Sequence, residues 1–285
     1  MSDKQPIREG RFSAIPGIAS LTLEGRDAVA FAQAQFMSDV AALAPGHWHW
    51  SGWLTPKGRV IALFALLKHV DDTLQVLLLD ADPTAFAAQL QRYVFRSKVV
   101  VRVDAGVQPA GAFVAPVDAS GSRFAAGDDG GLELDLGTAL QPRTLRTGVA
   151  AASDDSAAQA WRQADLAHGL PRLPHAQADA WTPQQLSLER LKAFSVKKGC
   201  YPGQEIVART HFLGQAKRGL VRLQGAGVAS LGEVLPAEGE RALGQLVCAA
   251  GDEALAVMPL EAGDGPFLTG GLPCRRVPLL DGLAR

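Results

Sequence analysis

The chain has 285 residues, of which 47% are hydrophobic and 20% charged, so it can bury a sizeable core and is not a disordered chain. Lysine and arginine number 28 against 29 acidic residues, which excludes a large field of one sign that would direct it to nucleic acid or an anionic membrane. The longest apolar run, residues 60–67, is too short for a membrane span, and the polar start MSDKQPIREG lacks the apolar core of a signal peptide. We therefore expect a soluble cytoplasmic protein with no membrane partner.

The first half of the chain predicts a mixed αβ pattern. Apolar and polar side chains alternate over residues 19–23, which is typical of a half-buried strand, and Gly25-Arg26-Asp27 opens a helix predicted to run to about Ala42. The apolar runs VIALFALL (60–67) and TLQVLLL (73–79) flank a turn and predict a buried hairpin.

A second helix and a further strand are predicted before the composition changes. Asp82-Pro83 is a favourable helix start, and the helix should direct four side chains inward: Phe86, Leu90, Tyr93 and Val94. Residues 99–103 predict a strand, whereas residues 104–131 are rich in Gly, Ala, Ser and Asp and predict a loop-rich region with at most two short strands.

The second half predicts one amphipathic helix followed by a small β-barrel. Ser153-Asp154-Asp155 caps a helix that Gly169 ends, with one face formed by Ala157, Trp161, Ala164 and His168. Residues 171–183 should be irregular. After Leu220, short apolar stretches separated by glycines indicate an all-β barrel.

The densest group of unusual residues is the stretch KKGCYPGQE, residues 197–205. Two glycines and a proline predict a tight turn around Cys200, and the cations Lys197 and Lys198 favour its thiolate. Cys200 is therefore a candidate reactive or ligating thiol, with a small buried turn residue as the alternative. Cys248 and Cys274 lie in apolar strand-like contexts; without a CxxC pair, the cysteines predict free thiols rather than disulfides or a zinc site.

The stretch KGCYPGQE, with the downstream VAR and GQAKRGL, closely resembles the K-G-C-[YF]-x-G-Q-E signature of the YgfZ family of folate-binding proteins, relatives of the glycine-cleavage T-protein. Further similar segments are spread over about residues 18–220: LTLEGRDAVAFAQAQFMSDV, SGWLTPKGRV, WRQADLAHGLPRL and TPQQLSLERL. One departure is FSVKKGC, where an SF-x-K-G-C arrangement is commoner.

The resemblance implies an α+β fold, a T-protein-like three-domain ring with a C-terminal β-barrel and a tetrahydrofolate site at its centre. The implied first domain is discontinuous and comprises residues 1–48 and 150–205. Residues 49–149 would form the middle domain and residues 206–285 the barrel.

The resemblance also implies a function, that of a folate-binding accessory protein in the assembly or repair of iron–sulfur enzymes, which indirectly affects tRNA modification. Cys200 would be the functional thiol, as a transient iron–sulfur ligand or redox group, with Lys198 beside it. The expected partners are folate and iron–sulfur enzymes or assembly proteins, with no direct nucleic acid contact.

For the pterin ring, the T-protein uses a glutamate in an R-L-E-A-G segment, and Ser187-Leu188-Glu189 matches it, so Glu189 is the candidate acceptor. Five further residues near the signature are expected at the folate site: Tyr201, Gly203, Gln204, Glu205 and Arg209. Cations close in sequence are expected to meet the anionic folate tail: Lys192, Lys198, Arg209, Lys217 and Arg218.

The resemblance leaves two alternatives open. Where the T-protein carries acids in a GG-V-I-D-D-like stretch, this chain has Ala62 and Leu63, so aminomethyl transfer is not expected there, because general acid/base catalysis needs a group within hydrogen-bond reach. One alternative is a folate-dependent one-carbon transferase whose acid comes from elsewhere in the fold. The other is a folate-binding scaffold in which Cys200 only shapes the turn.

The histidines give a weaker signal. His47-Trp48-His49-Trp50 would place two imidazoles on one face of a strand, but no acid or cysteine nearby completes a metal site, so ordinary packing is predicted. His168 and His175 are not expected to be ligands.

Overall fold

The structure, a computed structural model, describes residues 10–128, 130–214, 216–225 and 231–285. These residues form two five-stranded sheets, a closed six-stranded barrel and four α-helices. The strands are β1 (Ser13–Ala14), β2 (Ile18–Glu24), β3 (His47–Leu54), β4 (Val60–Val70), β5 (Thr73–Leu79), β6 (Val100–Val103), β7 (Ala110–Ala112), β8 (Ala125–Ala126), β9 (Leu132–Asp135), β10 (Thr144–Arg146), β11 (Arg218–Gln224), β12 (Glu233–Pro236), β13 (Gly244–Ala250), β14 (Glu253–Pro259), β15 (Phe267–Thr269) and β16 (Leu272–Val277). The helices are α1 (Ala28–Gln35), α2 (Pro83–Gln91), α3 (Asp155–Ala167) and α4 (Gln204–Leu213).

The first sheet has the strand order β3-β4-β5-β2-β6 and contains the predicted β4–β5 hairpin. Strand β4 is buried on both faces: Phe64 and Leu66 pack in the core under α1 and α2, whereas Leu63 and Leu67 pack in the larger core on the other side. Burial on both sides explains why β4 is a continuous apolar run rather than an alternating one.

Helix α1 is shorter than predicted and ends at Gln35 instead of extending to Ala42. The next residue, Phe36, pairs with Trp53 of β3. The Gln33 side chain then accepts the N–H groups of Val40 and Ala41, at 2.7 and 3.1 Å. These contacts fold the chain back onto β3 and stop the helix.

Helix α2 begins as predicted, because the Asp82 carboxylate accepts the N–H of Ala85 at 2.6 Å. Phe86 and Leu90 are buried as expected. The prediction was wrong for Tyr93, which follows the helix and is 47% exposed.

The second sheet has the order β1-β7-β10-β9-β8. Its strands β7 and β8 are the two short strands predicted in the loop-rich region. Helix α3 is capped by the carboxylate of Asp154, which accepts two backbone N–H groups, and Trp161 is buried on its inner face. The predicted cap and apolar face of this helix are confirmed.

The C-terminal barrel is closed in the order β11-β14-β13-β12-β15-β16, and its predicted existence is confirmed. The predicted domain boundaries do not follow the sheets. Strand β2 pairs with β5 and β6, although residues 1–48 and 49–149 were assigned to different domains. The division at residue 48 falls inside β3, and the division at residue 205 falls inside α4.

A buried charge network joins the two sheets and α3. The guanidinium of Arg172, with only 2% of the side chain exposed, lies 2.9 Å from the Asp165 carboxylate and 2.8 Å from Asp80. Arg143 binds Asp165 at 2.7 Å, and the partly exposed Arg162 binds Asp80 at 3.0 Å. Because each buried charge meets an opposite one, the network ties the end of β5 to α3.

No helix in the part of the chain that the structure describes is long and apolar enough to cross a membrane. Residues 1–9 of the polar N-terminal segment and Gln215 of the GQAKRGL stretch lie outside the described residues.

Candidate functional site

The cysteine turn, residues 197–203, presents one thiol to solvent. Cys200 is exposed, whereas Cys248 and Cys274 are buried in the barrel region. Burial raises the pKa of the Cys248 thiol to about 12 and raises that of Cys274 as well. Since the thiolate is the reactive form, burial makes Cys248 and Cys274 both hard to reach and hard to ionise.

Lys198, predicted to lie beside Cys200 as part of the functional site, points its ammonium at the end of α1. Its ammonium is buried and donates to the carbonyl oxygens of Gln33, Phe36 and Ser38, at 2.5, 2.5 and 2.8 Å. Burial lowers the pKa of Lys198 to about 8, while Asp39 acts in the opposite direction. The Lys198 side chain therefore caps the C-terminal end of α1 and anchors the cysteine turn to that helix. Its ammonium is fully engaged by hydrogen bonds to these three carbonyl oxygens.

Tyr201 and Gln204 are also structural. Tyr201 is buried, its hydroxyl donates to the Ser195 carbonyl at 3.0 Å, and its ring lies 4.8 Å from the Lys198 ammonium. Burial raises the pKa of this hydroxyl. The Gln204 amide donates to the Lys198 carbonyl at 2.9 Å. Both side chains therefore hold the shape of the turn.

Gly203 locks the cysteine turn against a second turn at residues 55–58. It has a φ of +77°, and a Cβ there would lie 2.6 Å from both the Gly58 Cα and the Thr55 carbonyl oxygen. Gly58 has a φ of +70°, and its own Cβ would lie 2.9 Å from Ile206. Only glycine fits at either position without displacing backbone, so two segments of the YgfZ resemblance meet here.

His49 belongs to a small polar cluster near the anchored end of α1. Its ring shares a hydrogen bond of 2.9 Å with Ser38, whose hydroxyl donates to Ser51 at 2.6 Å. Burial lowers the pKa of His49 to about 4, with Asp39 opposing and Lys198 adding to the shift. Within the described residues no three His, Cys, Asp or Glu side chains gather to hold a metal ion.

We expect His49 to make the protein less stable in mild acid. The unfolded histidine takes up a proton below about pH 6.5, but the folded one does so only near pH 4, so falling pH favours the unfolded state between these values. The cost should reach about 2 kcal/mol between pH 7 and pH 5. Urea unfolding at both pH values should show a smaller loss for His49→Gln than for the wild type or His47→Gln; an equal loss in all three would contradict the assignment.

Glu189 lies at a cavity of about 240 Å³ between a short 3-10 helix, Leu188–Leu191, and the barrel strands β11 and β16. The flanking Ser187 and Lys192 both adopt left-handed backbone conformations, and the Ser187 hydroxyl accepts the Leu220 N–H at 3.0 Å. Glu189 is exposed at the edge of this cavity. Partial desolvation raises its pKa, while a hydrogen bond with its own backbone and the charges of Arg190 and His211 act in the opposite direction. An accessible carboxylate at a cavity is a candidate ligand acceptor.

The cations at this cavity are not those that the sequence suggested. It is lined by Arg190, Arg222 and Arg276, two of which come from the barrel. Arg218 donates to the Leu243 carbonyl instead, and four other predicted side chains are exposed: Lys192, Glu205, Arg209 and Lys217. Sequence reasoning missed the barrel arginines, because antiparallel pairing of β11 with β16 brings together residues far apart in the chain.

The positions that correspond to the T-protein acids are apolar and closed. Ala62 and Leu63 are 1% and 3% exposed within β4. A larger cavity of about 680 Å³ beside Ala62 is also lined by Asp80 and Asp82, but Asp80 is paired with Arg172, and Asp82 caps α2. Both of these carboxylates are therefore engaged in holding the fold.

These features define a protein with the architecture of the glycine-cleavage T-protein. The crystal structure of glycine cleavage system aminomethyltransferase T from Bartonella henselae matches 93% of this chain and 84% of its own, with a TM-score of 0.69 and 13% sequence identity. The predicted α+β, T-protein-like fold with a C-terminal barrel is thereby confirmed.

Among proteins of this architecture, the chain is similar in sequence to YgfZ proteins. The chain is 28% identical over 241 residues to the tRNA-modifying protein YgfZ of Vibrio vulnificus strain YJ016, which covers 79% of this chain and 74% of that protein. It is also 28% identical to the tRNA-modifying protein YgfZ of Serratia proteamaculans, over 73% of this chain and 68% of that one. No protein-family model matches the chain. The resemblance to the YgfZ proteins is confirmed.

Proposed function

We propose that this protein is a folate-binding accessory factor in the assembly or repair of iron–sulfur enzymes, with Cys200 as its working group. The observation that carries the proposal is the exposure of Cys200 on a turn that the rest of the signature holds in place. An accessible thiol on a fixed backbone suits transient ligation of iron or redox exchange with a partner. A cysteine that only filled the turn would be buried.

The cavity at Glu189 supports a folate site. A carboxylate accepts parallel hydrogen bonds from a donor pair such as the amino and ring N–H groups of a pterin, and Glu189 is accessible at the cavity to do so. Arg276, which forms no ion pair within the described residues, supplies positive charge for the carboxylates of the folate tail, whereas Arg222 is paired with Glu253 and Arg190 with Asp281. When bound, tetrahydrofolate supplies a carrier for one-carbon units.

Replacing Glu189 by alanine should weaken tetrahydrofolate binding by about 1–3 kcal/mol, because the pterin donors lose a charged acceptor. Titration calorimetry measures this, and Glu238→Ala, an exposed acid on the barrel, is the matched control. No folate binding by the wild type would remove the folate part of the proposal. Equal binding by wild type and Glu189→Ala would reassign the acceptor.

Aminomethyl transfer is the rival function, and the closed apolar site at Ala62 and Leu63 disfavours it. We expect no tetrahydrofolate-dependent release of ammonia from an aminomethylated lipoyl carrier, because β4 offers no group to handle the proton there. A coupled ammonia assay checks this, with a T-protein as the positive control. Turnover well above the uncatalysed background would favour the transferase.

The relatives named as tRNA-modifying proteins support a link to tRNA. In this proposal the link is indirect and runs through the iron–sulfur enzymes that thiolate tRNA. Deleting the corresponding protein in a bacterium should lower the activity of those enzymes, and expression of this chain should restore it.

A further inference from the structure

A short segment after α2 exposes aromatic rings and cations together. This basic–aromatic segment, residues 92–98, has the sequence RYVFRSK. Phe95 is 86% exposed and Tyr93 47% exposed. The cations Arg92, Arg96 and Lys98 are exposed as well. Large exposed aromatic side chains are costly in water, so a surface that keeps them beside cations points to a ligand.

The segment is held in place at both ends. Tyr93 N–H donates to the Leu90 carbonyl at 3.0 Å, and the Tyr93 ring packs edge-on against the buried Trp53, with 5.7 Å between centroids. At the other end, Lys98 N–H donates to the Asp27 carboxylate at 2.7 Å. The rings and cations are therefore presented on an ordered backbone.

The positive charge of the segment is not neutralised. Among the residues that the structure describes, none of Arg92, Arg96 and Lys98 forms an ion pair through its side chain. The Arg96 guanidinium lies over the Phe95 ring, 5.4 Å from its centroid. Arg26 lies on the neighbouring loop, where Gly25 packs against the Lys98 carbonyl, and it is paired with Asp27 at 3.8 Å.

Local structure does not account for this pattern. The carbonyl end of α2 favours a cation at Arg92, but that effect fades within one helical turn and does not extend to Arg96 or Lys98. Packing against Trp53 accounts for the position of one edge of the Tyr93 ring, but packing does not account for the exposed ring of Phe95. Carboxylates would satisfy the charges alone, whereas a polyanion that carries flat rings would satisfy both the charges and the aromatic faces.

We propose that the basic–aromatic segment binds RNA at unpaired bases. Phe95, with Arg96 stacked on it, and the exposed part of Tyr93 contact base faces, while Arg92 and Lys98 contact phosphates. RNA fits better than DNA because loops leave its bases unpaired, whereas cellular DNA is mostly duplex. The expectation of no nucleic acid contact rested on the net charge of −1, which averages over the molecule and hides this local excess. The proposal requires neither folate nor Cys200.

The test is fluorescence anisotropy with an end-labelled, unstructured RNA of about 12 nucleotides, titrated from about 50 to 200 mM salt. Phe95→Ala should weaken binding about 5- to 150-fold, the loss of one stacked base. Arg92→Gln combined with Lys98→Gln should reduce the slope of log affinity against log salt by about 1.4, or about 0.7 for each phosphate contact. Arg241→Gln, an exposed cation on the barrel, is the matched control and should bind as the wild type does.

All the altered side chains are exposed, so thermal unfolding should match the wild type and confirm that each variant folds. The proposal is overturned if the wild type does not bind this RNA at the lowest salt, or if Phe95→Ala binds as tightly as the wild type. It is also overturned if DNA of the same sequence binds more tightly, or if Arg241→Gln weakens binding as much as the segment variants. Failure to bind RNA, with capture of an acidic protein by the segment, would assign the surface to protein recognition instead.

Discussion

Replacing Cys200 by serine should abolish the ability of this protein to restore iron–sulfur enzyme activity in a bacterium that lacks its own copy. The variant should fold normally, because the side chain is exposed and its sulfur contributes little buried area. Enzyme activity in extracts of complemented cells provides the measurement, and Cys274→Ser, a change at a buried thiol of the barrel, is the comparison. Serine keeps the shape of the turn but neither ligates iron as a thiolate nor forms a disulfide.

Native-state alkylation gives the same prediction a direct readout. Cys200 should react with iodoacetamide about 100- to 1,000-fold faster than Cys248, because Cys248 is buried and reacts only after a local opening that costs several kcal/mol. Mass spectrometry of peptides after timed quenching measures the ratio. If Cys200 reacts most slowly, or if Cys200→Ser restores full enzyme activity in cells, the thiol is structural and the accessory mechanism is wrong.

Arg172→Met should lower the free energy of unfolding by about 3–5 kcal/mol. Arg172 joins Asp80 to Asp165 with almost no solvent exposure. Methionine keeps much of its volume but leaves Asp165 with Arg143 alone and Asp80 with only the partly exposed Arg162. Breaking a buried pair from one side is costly because the remaining charge stays desolvated. The midpoint of thermal unfolding should fall by roughly 6–20 °C.

Arg162→Met is the matched control for this prediction. Arg162 binds the same Asp80 carboxylate, but 34% of its side chain is exposed, so its loss should cost less than about 1 kcal/mol. Circular dichroism melts of the two variants side by side decide the question. Similar midpoints for both variants would show that burial of the network does not set its contribution to stability.

The elements that the sequence predicted correctly are those that local patterns determine. The apolar run of β4 and the Asp82 cap of α2 depend on neighbouring residues, so periodicity and capping rules find them. The end of α1 depends on Phe36 pairing with Trp53, a contact with another element that periodicity does not contain. Tyr93 had helical spacing but follows the last turn of α2, so only one edge of its ring packs, against Trp53, and about half of the side chain is exposed.

The candidate site was predictable only in part, for the same reason. The motif drew attention to Cys200, and the structure shows that this residue is exposed. The motif gave no sign that the Lys198 ammonium binds the carbonyls of α1, because the residues that supply them lie far away in the chain. Arg222 and Arg276 of the Glu189 cavity were missed because they approach it through the pairing of barrel strands.

The close fit of Gly58 against Gly203 bears on how the signature should be used to recognise function. Most residues of the signature stabilise the backbone of the cysteine turn. Hydrogen bonds or close packing do this at Lys198, Tyr201, Gly203 and Gln204, and Gly58 packs against the turn from another segment. A protein with serine or alanine at the position of Cys200 would keep this turn and still match most of the motif. Under the proposed function, that single position separates proteins that share the chemistry of Cys200 from those that share only the turn.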